Sequence, residues 1–95
     1  MKRILIAAVA LACAPAAAQD AQKLASACAI CHGTAGRPVT KDLVPLAGLP
    51  REHIASQMRA FRDGQRPATV MHQIAKGYTD AQIDAMAAWF SAQKR

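Results

Sequence analysis

Cys28-Ala29-Ile30-Cys31-His32 places two thiols and an imidazole within five residues. Side chains at i and i+3 of a helical turn lie on the same side, and the histidine that follows directly adds a metal-binding nitrogen beside them. A C-x-x-C-H string is the attachment sequence of c-type haem. The chemistry sets the spacing: two thiols add across the two vinyl groups of one macrocycle, and the adjacent imidazole reaches the central iron. Cys28 and Cys31 are therefore expected to carry the two thioethers and His32 to be the proximal iron ligand. A thioredoxin-like C-x-x-C belongs in a larger α/β frame, and this sequence has no strand runs. A zinc site wants four ligands; His53 or His72 would have to join, and the neighbours Cys31 and His32 fit one tetrahedral ion poorly.

The frame for these residues is small. The chain has 95 residues, a formal charge of +6, 53% hydrophobic and 4% aromatic residues. It is too short for a doubly wound nucleotide-binding fold and too apolar for disorder. Much of the apolar content sits at the start. Residues 1–18, MKRILIAAVALACAPAAA, combine Lys2 and Arg3, an apolar run from Ile4 to Ala14, and small residues at Ala16–Ala18. This is the layout of an export signal cut before Gln19. The run is too short for the roughly 20 apolar residues a membrane span needs. A retained anchor, or a lipid on Cys13, is the competing reading. The remaining domain, residues 19–95, keeps ten cations against six acids, +4, and only Cys28 and Cys31. Export places it in an oxidising compartment, most simply a periplasm. So small a core usually needs a staple. A disulfide across two intervening residues would restrain little of the unfolded chain; one covalently bound haem would serve.

The elements read as helix and loop. A first helix is expected over 20–31, with Leu24, Ala27 and Cys31 on one face. Gly33 and Gly36 end it, and residues 33–50 form a loop punctuated by Pro38, Pro45, Gly48 and Pro50. Pro50 suits the N1 position of a helix over 51–63, with Ile54, Met58 and Phe61 as its apolar stripe and Gly64 at its end. Val70–Lys76 makes one or two turns closed by Gly77. Thr79-Asp80-Ala81-Gln82 is a capping box that starts a last helix from 80 to about 93, with Ile83, Met86, Ala87 and Phe90 inward.

An N-terminal helix ending in C-x-x-C-H, a Gly/Pro loop, a middle helix, a methionine loop and an amphipathic C-terminal helix together resemble a class I cytochrome c. Arg59-Ala60-Phe61-Arg62-Asp63-Gly64-Gln65-Arg66, then Pro67-Ala68-Thr69-Val70-Met71, is similar to the distal segment of the dihaem cytochromes c and of the haem subunit of sulfide-oxidising flavocytochromes c. Ala75-Lys76-Gly77-Tyr78-Thr79-Asp80, leading into Ala87-Ala88-Trp89-Phe90, continues the likeness. The resemblance implies an all-α fold of three to four helices around one covalently attached haem c, with the first and last helices crossing. Leu24 and Ala27 should then meet Met86, Trp89 or Phe90.

Candidates for the distal iron ligand are Met58, Met71, Met86, His53 and His72. Met58 and Met86 lie on apolar stripes that explain them as core. Met71 follows Pro67 in a segment without amphipathic pattern, bracketed by Gly64 and Gly77, and the resemblance maps the ligand onto it. His72 is expected at the surface and His53 in solvent. Thioether ligation favours ferrous iron and raises the potential. The resemblance also implies a backbone acceptor for His32 Nδ1. The family's P-x-L-A-G string is altered here to Val44-Pro45-Leu46-Ala47-Gly48, which leaves the carbonyls of Val44 and Pro45 as alternatives. Arg37 and Tyr78 are candidates for the haem propionates.

Arg51, Arg59, Arg62 and Arg66 crowd helix two and its end. They form either a solvated face or a surface that steers an acidic redox partner; nucleic acid is not expected as a partner of an exported protein. The functional expectation is a monohaem one-electron carrier with no enzymatic activity of its own and no stable membrane anchor. The alternatives are a haem subunit paired with a flavoprotein, as in flavocytochrome c sulfide dehydrogenase, and an open-site gas sensor or peroxidase.

Overall fold

The computed structural model describes residues 16–95, with side chains from Asp20 onward. The expected export segment, residues 1–18, lies outside the described residues except for its last three. Among the described residues the regular structure is helical: α1 (Ala16–Ser26), α2 (Ala29–His32), α3 (Arg51–Arg62), α4 (Met71–Ala75) and α5 (Asp80–Ser91), with a single 3₁₀ turn at Thr34–Gly36 after α2. None of the described helices is long and apolar enough to cross a membrane.

The single helix expected over 20–31 is two helices. The Ser26 hydroxyl donates to the Lys23 carbonyl at 2.6 Å, a local bond of the kind that competes with the helical ladder. The Cys28 N–H then reaches back three residues to Ala25 rather than four. The change of register alters which residues face inward. Ala27, expected against the last helix, is exposed, while Ala21 and Ala25 are buried where α1 lies along α5. Their small side chains allow the close approach.

Helix α5 forms the centre of the fold, packed on α1 and on α3, and α3 in turn carries α4. Its start is the expected capping box: Gln82 N–H donates to Thr79 Oγ1 at 3.2 Å, and Thr79 N–H donates to Gln82 Oε1 at 2.9 Å. Its inward stripe is Ile83, Met86, Ala87 and Phe90, all buried, against Ile54, Ala55 and Met58 of α3 and Ala75 of α4. Fully burying a side chain such as Ile83 contributes roughly 1.5–3 kcal/mol. Trp89 is half-buried and meets the Phe90 ring edge-on, centroids 5.0 Å apart. Pro50 takes the cap position of α3, one residue before the expected N1.

The arginines of α3 have partners. Arg59 donates to Asp84 at 2.7 Å and to Asp80 at 3.2 Å; Arg62 donates to Asp80 at 2.7 Å and to Asp63 at 3.2 Å. Arg51 pairs with Glu52. Arg66 bonds Gln57 and lies over the Phe61 ring, 4.6 Å from its centroid. Much of the basic cluster, read as either a solvated face or a steering surface, is thus a clasp between α3 and α5.

Candidate haem-binding site

The Cys28–His32 segment forms one tight turn. The Cys28 carbonyl accepts the N–H of Cys31 at 3.3 Å and of His32 at 2.8 Å. Cys28 is half-buried and Cys31 exposed, and both are free thiols. Burial, seconded by the neighbouring Cys31, pushes the Cys28 thiol above its ordinary pKa.

His32 is held by the long loop that follows. Its Nδ1 lies 2.8 Å from the Val44 carbonyl oxygen. A carbonyl can only accept, so Nδ1 carries the proton and donates, and in the neutral ring the lone pair lies on Nε2. Of the two acceptors that the sequence left open, Val44 is the one used. The loop reaches this position through two glycines. Gly33 has φ +83°, and a Cβ there would stand 2.1 Å from the Arg37 carbonyl oxygen. Gly36 has φ +77°, and a Cβ there would stand 2.7 Å from Ala47 N and 3.0 Å from the Phe90 ring. With no side chain in the way, the Gly36 carbonyl accepts both the Leu46 and Ala47 N–H groups, at 2.9 and 3.1 Å. That fork fixes the return of the loop, and Val44, two residues upstream, is laid against the imidazole.

The other sequence candidates separate cleanly by burial. Met58 and Met86 are buried core residues and His53 is exposed. Met71 opens α4, half-buried and packed against the core beside which Cys28 and Tyr78 also lie. Burial, with the nearby Cys28 as a lesser cause, raises the pKa of the Tyr78 hydroxyl. His72 differs from the surface histidine expected: it is half-buried, and its Nδ1 is buried without a hydrogen-bond partner among the described residues. Nothing in the spacing of residues 67–77 announced this. Arg37, a candidate for a propionate, sends its guanidinium to the Lys94 carbonyl at 3.0 Å.

An all-α domain with two thiols and a backbone-anchored imidazole on a single turn defines a c-type haem protein. The chain belongs to the cytochrome c family, whose model matches residues 18–94 and whose members carry covalently attached haem c. It is similar to the thiosulfate dehydrogenase electron acceptor of Thiomonas intermedia (strain K12), with 40% identity over 82 residues, 85% of this chain and 38% of that protein. Cytochrome c-554(548) of Halomonas halodenitrificans is 36% identical over 70 residues, 70% of this chain and 84% of that protein. The cytochrome subunit of sulfide dehydrogenase from Chlorobaculum tepidum is 38% identical over 68 residues, 70% of this chain and 60% of that protein. The chain spans well under half the length of the Thiomonas relative. The family is one of electron-transfer proteins, and these relatives are named as an electron acceptor or as cytochromes.

Proposed function

We propose that the chain is an exported, periplasmic one-electron carrier that holds a single haem c through thioethers from Cys28 and Cys31, with His32 Nε2 as proximal and Met71 Sδ as distal iron ligand. The observation that carries the reading is the Nδ1–H bond of His32 to Val44. In the neutral ring it selects the tautomer with Nε2 unprotonated, and a carbonyl acceptor on Nδ1–H orients the ring and tunes its basicity. Three further features of the chain suit a haem at this place. Both thiols stand one turn apart beside the imidazole; a half-buried thioether at the start of α4 flanks the same core; and Val70, just before α4, and Ile74 within it expose apolar side chains that a flat macrocycle would cover. When bound, the haem supplies the ferric–ferrous couple. The protein's part is to attach it, to orient His32, to offer a soft thioether that favours the ferrous state, and to leave no coordination position for substrate.

The export reading adds removal of residues 1–18 before Gln19. The intact holoprotein should then have the mass of residues 19–95 plus one haem, and haem should stay with the denatured chain. Replacing both Cys28 and Cys31 by Ser should free it. A mass that includes Cys13, or haem retained on the denatured double variant, contradicts the reading.

The relatives named for thiosulfate and sulfide dehydrogenases favour a specific setting: the electrons come from a dehydrogenase that oxidises a reduced sulfur compound, with this chain as soluble acceptor or as its haem subunit. Purification of the native protein distinguishes the two, since a subunit brings a second, catalytic chain with it and a free acceptor elutes alone.

A further inference from the structure

The loop that holds His32 has little of its own to keep it in place. Residues 39–45 are all exposed. Between the Arg37 N–H bond to Thr34 and the Leu46 N–H bond to Gly36, its backbone makes one bond among the described residues, that of the Val44 carbonyl with His32 Nδ1. The Gly36 fork fixes the returning limb. Both limbs also meet a second element, the end of α5 and the residues after it. A Cβ on Gly36 would stand 3.0 Å from the Phe90 ring. The Phe90 carbonyl accepts the Gly48 N–H at 3.0 Å and the Gln93 N–H at 3.1 Å. Gln93 Nε2 donates to the Trp89 carbonyl at 2.8 Å. These bonds fold the chain back after α5 and present the Lys94 carbonyl to Arg37, whose Nη1 donates to it at 3.0 Å across 57 positions of sequence. The main chain of Arg37 is close to the ligand in turn: its carbonyl oxygen would lie 2.1 Å from a Cβ on Gly33, the residue after His32.

We infer that Arg37 is a positioning residue for the proximal imidazole. By tying the outgoing limb of the loop to the Lys94 carbonyl, it keeps the Val44 carbonyl on His32 Nδ1–H. The inference rests on the haem reading above, and it gives Arg37 a task other than holding a propionate. Its acceptor is main chain, so the Lys94 side chain is not needed. A carbonyl kept on Nδ1–H makes the imidazole the better donor to iron, which favours the ferric state. Releasing the loop therefore raises the reduction potential. Loss of the Arg37 charge alone would act the other way, because a cation nearby disfavours the more positive iron. The two effects have opposite signs.

The test compares four variants of the holoprotein by nitrogen–proton NMR of the reduced form and by potentiometry. Arg37→Gln removes the donor. Gln93→Pro removes the N–H that bonds Phe90 and disfavours the αR conformation of Ala92, so it turns the Lys94 carbonyl away without changing any charge. Each should speed His32 Nδ1–H exchange by about tenfold or more and raise the potential. The two together should do little more than either alone. Lys94→Gln keeps the carbonyl, so it should exchange as wild type does and leave the potential level or lower. Exchange in Arg37→Gln within about twofold of a slow wild type, or a potential that falls, overturns the positioning role. An effect of Arg37→Gln that Gln93→Pro does not share also overturns it, and assigns the guanidinium to another partner such as a propionate. Rapid exchange in the wild type contradicts the reading of His32 itself.

Discussion

His32 Nδ1 and the Val44 carbonyl oxygen, twelve positions apart in the chain, lie 2.8 Å from one another. The bond depends on neither side chain of the loop's tip, only on where the backbone returns. That return is governed by Gly36, whose carbonyl holds Leu46 and Ala47. The string Val44-Pro45-Leu46-Ala47-Gly48 can therefore present a valine carbonyl to the imidazole while keeping the Leu-Ala-Gly anchor.

A consequence concerns the proton. His32 should carry it on Nδ1, and Val44→Ala should keep it there because the acceptor is main chain. Nitrogen NMR of the reduced holoprotein reads this directly: a slowly exchanging Nδ1–H in wild type and variant is expected, whereas rapid exchange in both would mean the bond is not formed.

Backbone strain gives a second expectation. Ala35 is held at φ +54°, ψ +27°, a left-handed conformation that costs a non-glycine residue roughly 1–2 kcal/mol. Ala35→Gly should relieve this, less the extra entropy of the unfolded glycine, and leave stability unchanged or raised by up to about 1 kcal/mol. The neighbouring Gly36→Ala should do the reverse, since its Cβ would meet the Ala47 backbone at 2.7 Å; a loss of more than about 1 kcal/mol is expected. Chemical denaturation of both variants checks the pair, and a destabilised Ala35→Gly would refute the strain.

The clasp predicts an acid dependence. Hydrogen bonds from Arg62 and then Arg59 hold the Asp80 carboxyl below its ordinary pKa. The unfolded chain therefore binds this proton more readily than the folded one, so the contribution is present above the ordinary value of about 3.9 and is lost as the pH falls through the lowered one. Asp80→Asn should lower the melting temperature at neutral pH, and its deficit should shrink below the ordinary carboxylate value and at high salt. A deficit that persists in acid would show that Asp80 acts through helix capping, not through charge.

Much of this was legible in the residues. The capping box at Thr79 and the stripe Ile83, Met86, Ala87 and Phe90 define α5 by local rules, and all of them hold. Cys28, Cys31 and His32 come together because five consecutive residues need no tertiary information to meet. What local rules could not supply is long-range pairing. Arg59 and Asp84 are 25 residues apart, and nothing local joins them. The exposure of Ala27 follows from a break that one Ser26 hydroxyl bond accompanies, too slight a signal against an otherwise continuous helical pattern. Arg37 and Lys94 meet only because the C-terminus folds back onto the loop.

The central claim is that one methionine holds the iron and another holds the core. Met58 is 8% exposed on the inner face of α3, whereas Met71 is half-buried at the first position of α4. The visible spectrum of the ferric holoprotein in Met71→Ala and Met58→Ala separates them. Met71→Ala should lose the weak red absorption band of methionine-ligated ferric haem, lower the reduction potential and open the iron to added ligands. Met58→Ala should keep band and potential and lose about 2–5 kcal/mol of stability. A band that survives Met71→Ala and disappears in Met58→Ala would contradict the account.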